Sequence, residues 1–121
     1  MTANPIGVTR PLRHAYEEVT LTYEDTKRTP HQYPVQVIHF GNVLTLVTLG
    51  SEVVVDYSLR LKKELVGPAA VWVAGYSNDY SGYIPTTRIQ EEGGYEAATG
   101  WARGIEEIIV GKVLELNQSL K

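Results

Sequence analysis

The chain has 121 residues, 43% of them apolar, a net charge of −3 and no cysteine. This suits one domain with its own core and excludes general disorder. Without cysteine there is no disulfide, no cysteine-ligated zinc and no cysteine nucleophile, and the interspersed charges form no basic patch, which argues against a nucleic-acid partner.

No apolar run approaches the ~20 residues of a membrane-spanning helix. No charged segment followed by an apolar one opens the chain, so no secretory signal is visible, and a cytoplasmic location is expected if residue 1 is the native start. Residues 1–15 read as an irregular arm, punctuated by Pro5, Gly7 and Pro11. Val19, Leu21 and Tyr23 alternate with polar neighbours, which predicts a half-buried strand over 17–24. A polar connection with His31 and two prolines follows. A second strand is expected over 35–40 and a third over 43–49. Between them Gly41-Asn42 reads as the two-residue turn of a β-hairpin, since it supplies the positive φ that primed turns require. The third strand is almost all apolar, which predicts cover on both faces.

A helix is expected over 53–65, with Val54, Tyr57 or Ser58, Leu61 and Leu65 on one face, stopped by Gly67-Pro68. An apolar strand over 69–74 follows. Strand, helix and strand of this size make the crossover of a parallel pair. Both strands then end at one edge of the sheet, where open α/β sheets place their ligands. Glu52 and the loop over 75–87 meet there. That loop packs three tyrosines, two glycines, an Asn-Asp pair and a proline into thirteen residues. Gly93-Gly94 allows a sharp bend that presents Tyr95. A final helix over 104–120 carries a stripe of Ile105, Ile108, Ile109, Val113, Leu116 and Leu120, with Lys112 as its exception. The expected fold is α/β: a single domain with a mixed β-sheet, a β-hairpin, a βαβ crossover and a C-terminal helix packed on the sheet.

Three blocks stand in order: Leu49-Gly50-Ser51-Glu52, then Asn78-Asp79-Tyr80-Ser81-Gly82-Tyr83-Ile84-Pro85-Thr86, then Gly94-Tyr95-Glu96-Ala97. Together they resemble the C-terminal part of the catalytic domain of neutral/alkaline non-lysosomal ceramidases, in the bacterial ceramidase-like branch. The resemblance covers roughly residues 33–120. It implies a zinc amidohydrolase that cleaves the N-acyl amide of ceramide or a related lipid amide. It also implies Glu52 and Tyr83 as zinc ligands, Tyr95 as a catalytic tyrosine at the substrate carbonyl, and Asn78, Asp79 and Tyr80 as loop contacts. The family's Pro-Gly-Glu-like turn is here Gly50-Ser51-Glu52, a departure that leaves Glu52 as the matching residue.

From the residues alone, Glu52 is a helix N-terminal carboxylate and the tyrosines are half-buried packing. The resemblance places two further zinc ligands, both histidines, in an upstream motif. His14, His31 and His39 match no part of it. Three readings follow. The chain is part of a hydrolase that is incomplete alone; or it is a non-catalytic binding or assembly protein that keeps this part of the fold; or a second copy completes the site with His14 or His31. All three predict an uncovered apolar face or sheet edge, and hence a homo-oligomer or pairing with a missing upstream half.

Overall fold

Alternation along three strands builds the core face of the sheet. Val19 and Leu21, then Tyr33, Val35 and Val37, then Val47 and Leu49 all point the same way and are buried. The computed structural model describes residues 12–79 and 82–121. Strands β1 (Leu12–Leu21), β2 (His31–Phe40), β3 (Leu44–Leu49) and β5 (Ala70–Ala74) form one sheet in the order β1-β2-β3-β5. The first two pairings are antiparallel and β3–β5 is parallel. Helix α1 (Val55–Glu64) makes the crossover and packs on β5. Helix α3 (Ile105–Ser119) lies on β1 and β2. Tyr57 and Leu61 of α1 join Ile105, Ile109 and Val113 of α3 in one core with the sheet. The mixed sheet, hairpin, crossover and docked C-terminal helix therefore stand as the sequence reading has them.

Several details differ. β1 begins at Leu12, so residues 12–15 belong to a strand and not to an arm; residues 1–11 lie outside the described residues. β2 takes in His31 and Pro34, because β1 supplies partners along its whole length. The hairpin loop has three residues, with Phe40 paired to Leu44. Gly41 does take the positive φ, at 57°, and the Val43 N–H closes the turn on the Phe40 carbonyl at 3.1 Å. β3 is covered on one face only: Thr45, Val47 and Leu49 are buried, whereas Leu44, Leu46 and Thr48 are half-buried. In α3 the inward stripe runs through Val110, and Ile108 is exposed. Lys112 reaches Glu17 on β1 at 2.7 Å, an ion pair that explains a cation beside the stripe.

Tyr33 and Tyr57 are fully buried. The Tyr33 hydroxyl donates to the Gly50 carbonyl (2.8 Å), and that of Tyr57 to the Pro85 carbonyl (2.9 Å). Desolvation pushes both phenols above their ordinary pKa of 10.0. The folded chain keeps both protons where the unfolded chain loses them. Their stabilising effect is thus complete below about pH 10 and falls as pH rises further, by about 1.4 kcal/mol per pH unit for each tyrosine. The urea midpoint is expected to drop above about pH 10, and Tyr57→Phe to make that drop shallower. A midpoint that stays level to about pH 11.5 would contradict this assignment.

Candidate functional site

The carboxyl ends of β3 and β5 are locked together by a turn that only small residues permit. A Cβ on Gly50 would sit 3.1 Å from both Pro34 and Asp79, and one on Gly75 would sit 3.3 Å from Val53. Ser51 takes a left-handed φ of 58°. Its N–H donates to the Asp79 carbonyl (2.9 Å), and its own carbonyl accepts from the Tyr76 N–H (2.7 Å). The Ser51 hydroxyl donates to Asp79 Oδ2 (3.1 Å), and His31 Nε2 meets the same oxygen at 2.8 Å. Tyr76 and Asn78 are left-handed too, at 54° and 68°. Three non-glycine residues in that region, on the two segments that leave β3 and β5, mark stored backbone strain, which concentrates at functional sites.

Beyond this turn the chain makes a second, very short sheet. Strands β4 (Glu52–Val53) and β6 (Tyr83–Ile84) run parallel, with Glu52 opposite Tyr83 and Val53 opposite Ile84. The Glu52 N–H donates to the Gly82 carbonyl (2.9 Å) and the Val54 N–H to the Ile84 carbonyl (3.2 Å). Ile84 is buried and Val53 packs against the core. By alternation, Glu52 and Tyr83 share the outward face, on strands about 4.8 Å apart. Tyr95 joins them from a 3₁₀ turn (Tyr95–Ala97). Its ring meets that of Tyr83 edge-on, with centroids 5.3 Å apart, and it is 75% exposed. The three residues singled out by the resemblance thus come together.

The loop residues divide. Asn78 sits at one of the left-handed positions. Asp79 turns inward to His31 and Ser51 and acts as a clamp between the loop and β2. Tyr80 lies outside the described residues. The histidines stand apart from Glu52. His14 is exposed on β1, His31 is held by Asp79, and His39 meets Asn117 at 2.6 Å. Among the described residues no three His, Asp or Glu side chains gather as a metal set.

Sequence reasoning missed what holds Tyr83. Its carbonyl accepts from Trp101 Nε1 (3.0 Å) and from the Thr99 hydroxyl (3.2 Å). Trp101 stacks on Tyr23 at 4.3 Å, and Arg28 caps the other face of that ring at 3.6 Å. The one signal in the chain is a bulky indole in an otherwise small, polar stretch ahead of α3.

A groove of about 780 Å³ lies elsewhere, between α1, helix α2 (Thr87–Glu92) and the start of α3. Both its arginines are committed. Arg60 pairs with Glu64, Glu106 and Glu107, and Arg88 with Asp56 and Glu92. These bonds, that to Glu107 foremost for Arg60 and that to Asp56 foremost for Arg88, raise both guanidinium pKa values; the Arg88 bond lowers that of Asp56. The groove is thus an ion-paired junction of helices. Comparison of the chain with protein-family models, with curated proteins and with solved structures returns no match.

Proposed function

We propose that this chain carries the glutamate–tyrosine half of a ceramidase-like zinc site for the hydrolysis of lipid N-acyl amides. The observation that supports the reading is the Glu52–Tyr83 pair on one face of a parallel ladder, with Tyr95 against it. The resemblance in three separate sequence blocks names the same three residues.

A carboxylate and a phenol on adjacent strands fit two positions of such a metal. The resemblance implies four ligands, so the described residues fit half of the set, and the two histidines come from outside the described residues or from a second copy. Zinc in a complete site acidifies a bound water. This chain's own share is to fix Glu52 and Tyr83 side by side and to offer the exposed Tyr95 hydroxyl to a substrate carbonyl. No amidase activity is expected from the chain alone.

Imidazole can stand in for the missing histidines. Zinc titrated calorimetrically into the purified chain is expected to bind at least about tenfold tighter when millimolar imidazole is present. Glu52→Ala and Tyr83→Phe are each expected to abolish that gain. Equal gains in wild type and both variants would defeat the proposal, as would amidase activity of the metal-free chain. The alternative of a non-catalytic assembly module draws on the open sheet face described next.

A further inference from the structure

Among the described residues, the side of the sheet away from α1 and α3 is open and mostly apolar. Strand register lays its side chains out in rows. Leu12, Phe40 and Leu44 fall in one row across β1, β2 and β3, and His14, Ile38, Leu46 and Trp72 in the next across β1, β2, β3 and β5. Leu12 is 60% exposed, Phe40 42% and Trp72 63%, and Ile38, Leu44 and Leu46 are half-buried. A third row, more polar, runs from Tyr16, 45% exposed, through Gln36 and Thr48 to Ala74. None of the three rows contains Lys, Arg, Asp or Glu; Glu18 stands just beyond them.

We propose that this face binds a second copy of the chain, sheet stacked on sheet, in a two-fold dimer. The three rows span roughly 20 Å along the strands and roughly 20 Å across them, so with side-chain relief each copy offers on the order of 600 Å². Two copies then bury roughly 1,200 Å², the lower bound for a specific, stable interface. With no Lys or Arg in these rows, the face lacks the basic cluster that attraction to an anionic lipid surface needs. On a chain of net charge −3, a neutral face is where two copies approach with least repulsion. The relief is self-complementary as well. Trp72 is a knob on an edge strand, and Ala70 and Ala74, two residues to either side, are the hollows. Aligned sheets pack about 10 Å apart, a gap that interdigitated Leu, Ile and Phe side chains fill.

The mass of the full chain in solution tests this, by sedimentation equilibrium from about 1 to 100 µM. A monomer–dimer equilibrium within that range is expected. Trp72→Lys and Tyr16→Lys, both at exposed positions, are each expected to weaken it at least about tenfold. Leu59→Lys, at an equally exposed position on α1, is the control and is expected to leave it unchanged. Circular dichroism checks that each variant keeps its fold. A wild-type monomer at about 100 µM would overturn the proposal and assign the face to a different polypeptide. A dimer that survives both face substitutions, or open-ended assembly, would overturn it as well.

Discussion

Replacing Trp101 with alanine is expected to cost about 3–5 kcal/mol, a large part of the stability of a domain this size. The indole is 2% exposed. It lies against Tyr23 at 4.3 Å, with an interplanar angle of 15°, and it sits in a bridge that ties the segment before α3 to the residues just after β1. That bridge is made by the Glu24 N–H on the Gly100 carbonyl and the Ala102 N–H on the Thr22 carbonyl, both at 2.9 Å. Alanine would leave a cavity between Tyr23, His31 and the core, and would remove the indole N–H from the Tyr83 carbonyl. Trp101→Phe is the milder change. It keeps an aromatic face for Tyr23 but loses the donor and one ring of the buried indole, so about 1–3 kcal/mol is expected. Urea unfolding gives the totals. Hydrogen exchange gives the local consequence: in Trp101→Ala the Glu52 and Val54 amides, which bridge β4 to β6, should lose protection before the β2 and β3 amides do. If they exchange no faster than in wild type, Trp101 is a core residue that does not position Tyr83.

The same contrast explains what the sequence reveals and what it hides. The hairpin, the crossover and the docked helix each rest on a local pattern: alternation in β2, a helical stripe at Tyr57, Leu61 and Leu65, a glycine at a turn. β4 and β6 have two residues each and no pattern of their own. They exist because the Ser51 turn delivers Glu52 beside Tyr83, a contact across 31 positions (83 − 52). Helix α2 buries nothing, so Thr87–Glu92 has no apolar stripe to read. The error on β3 has another cause. Leu44 and Leu46 are as apolar as Val47 and Leu49, and composition does not tell a face covered by the chain's own helices from one left open. At the site, the three blocks point to Glu52, Tyr83 and Tyr95 but not to Trp101 or to the inward turn of Asp79, since neither side chain's partner is near it in sequence.

Asp79→Ala is expected to release the loop after β5 and to cost about 2–4 kcal/mol. One carboxylate oxygen, Oδ2, serves both His31 Nε2 and the Ser51 hydroxyl, so a single truncation takes an acceptor from β2 and from the turn after β3. Bonds to a charged acceptor contribute about 1.5–3 kcal/mol each, and here the lower half of the range applies, because the two side chains are 25% and 21% exposed. Relaxation of the strain at Ser51, Tyr76 and Asn78 favours opening of the turn and offsets part of that loss. A left-handed residue costs roughly 1–2 kcal/mol, and the clamp is what keeps three of them in place. Asp79→Asn retains an acceptor and should recover about half of the loss. Gly50→Ala attacks the same junction from the other side, since its methyl would sit 3.1 Å from Asp79 and Pro34, and overpacking of this kind costs about 1–3 kcal/mol. The decisive readout is local. The Ser51, Tyr76 and Ser77 amides donate to the Asp79, Ser51 and Leu49 carbonyls, and all three bonds lie inside the clamp. Their exchange should accelerate in Asp79→Ala by more than the fall in global stability accounts for. If it tracks global unfolding alone, the clamp is part of the cooperative core, and the strained turn gains nothing from Asp79 beyond packing. If it accelerates as expected, the turn that sets Glu52 beside Tyr83 is held by His31 and Asp79, and a histidine on β2 determines where those two side chains stand.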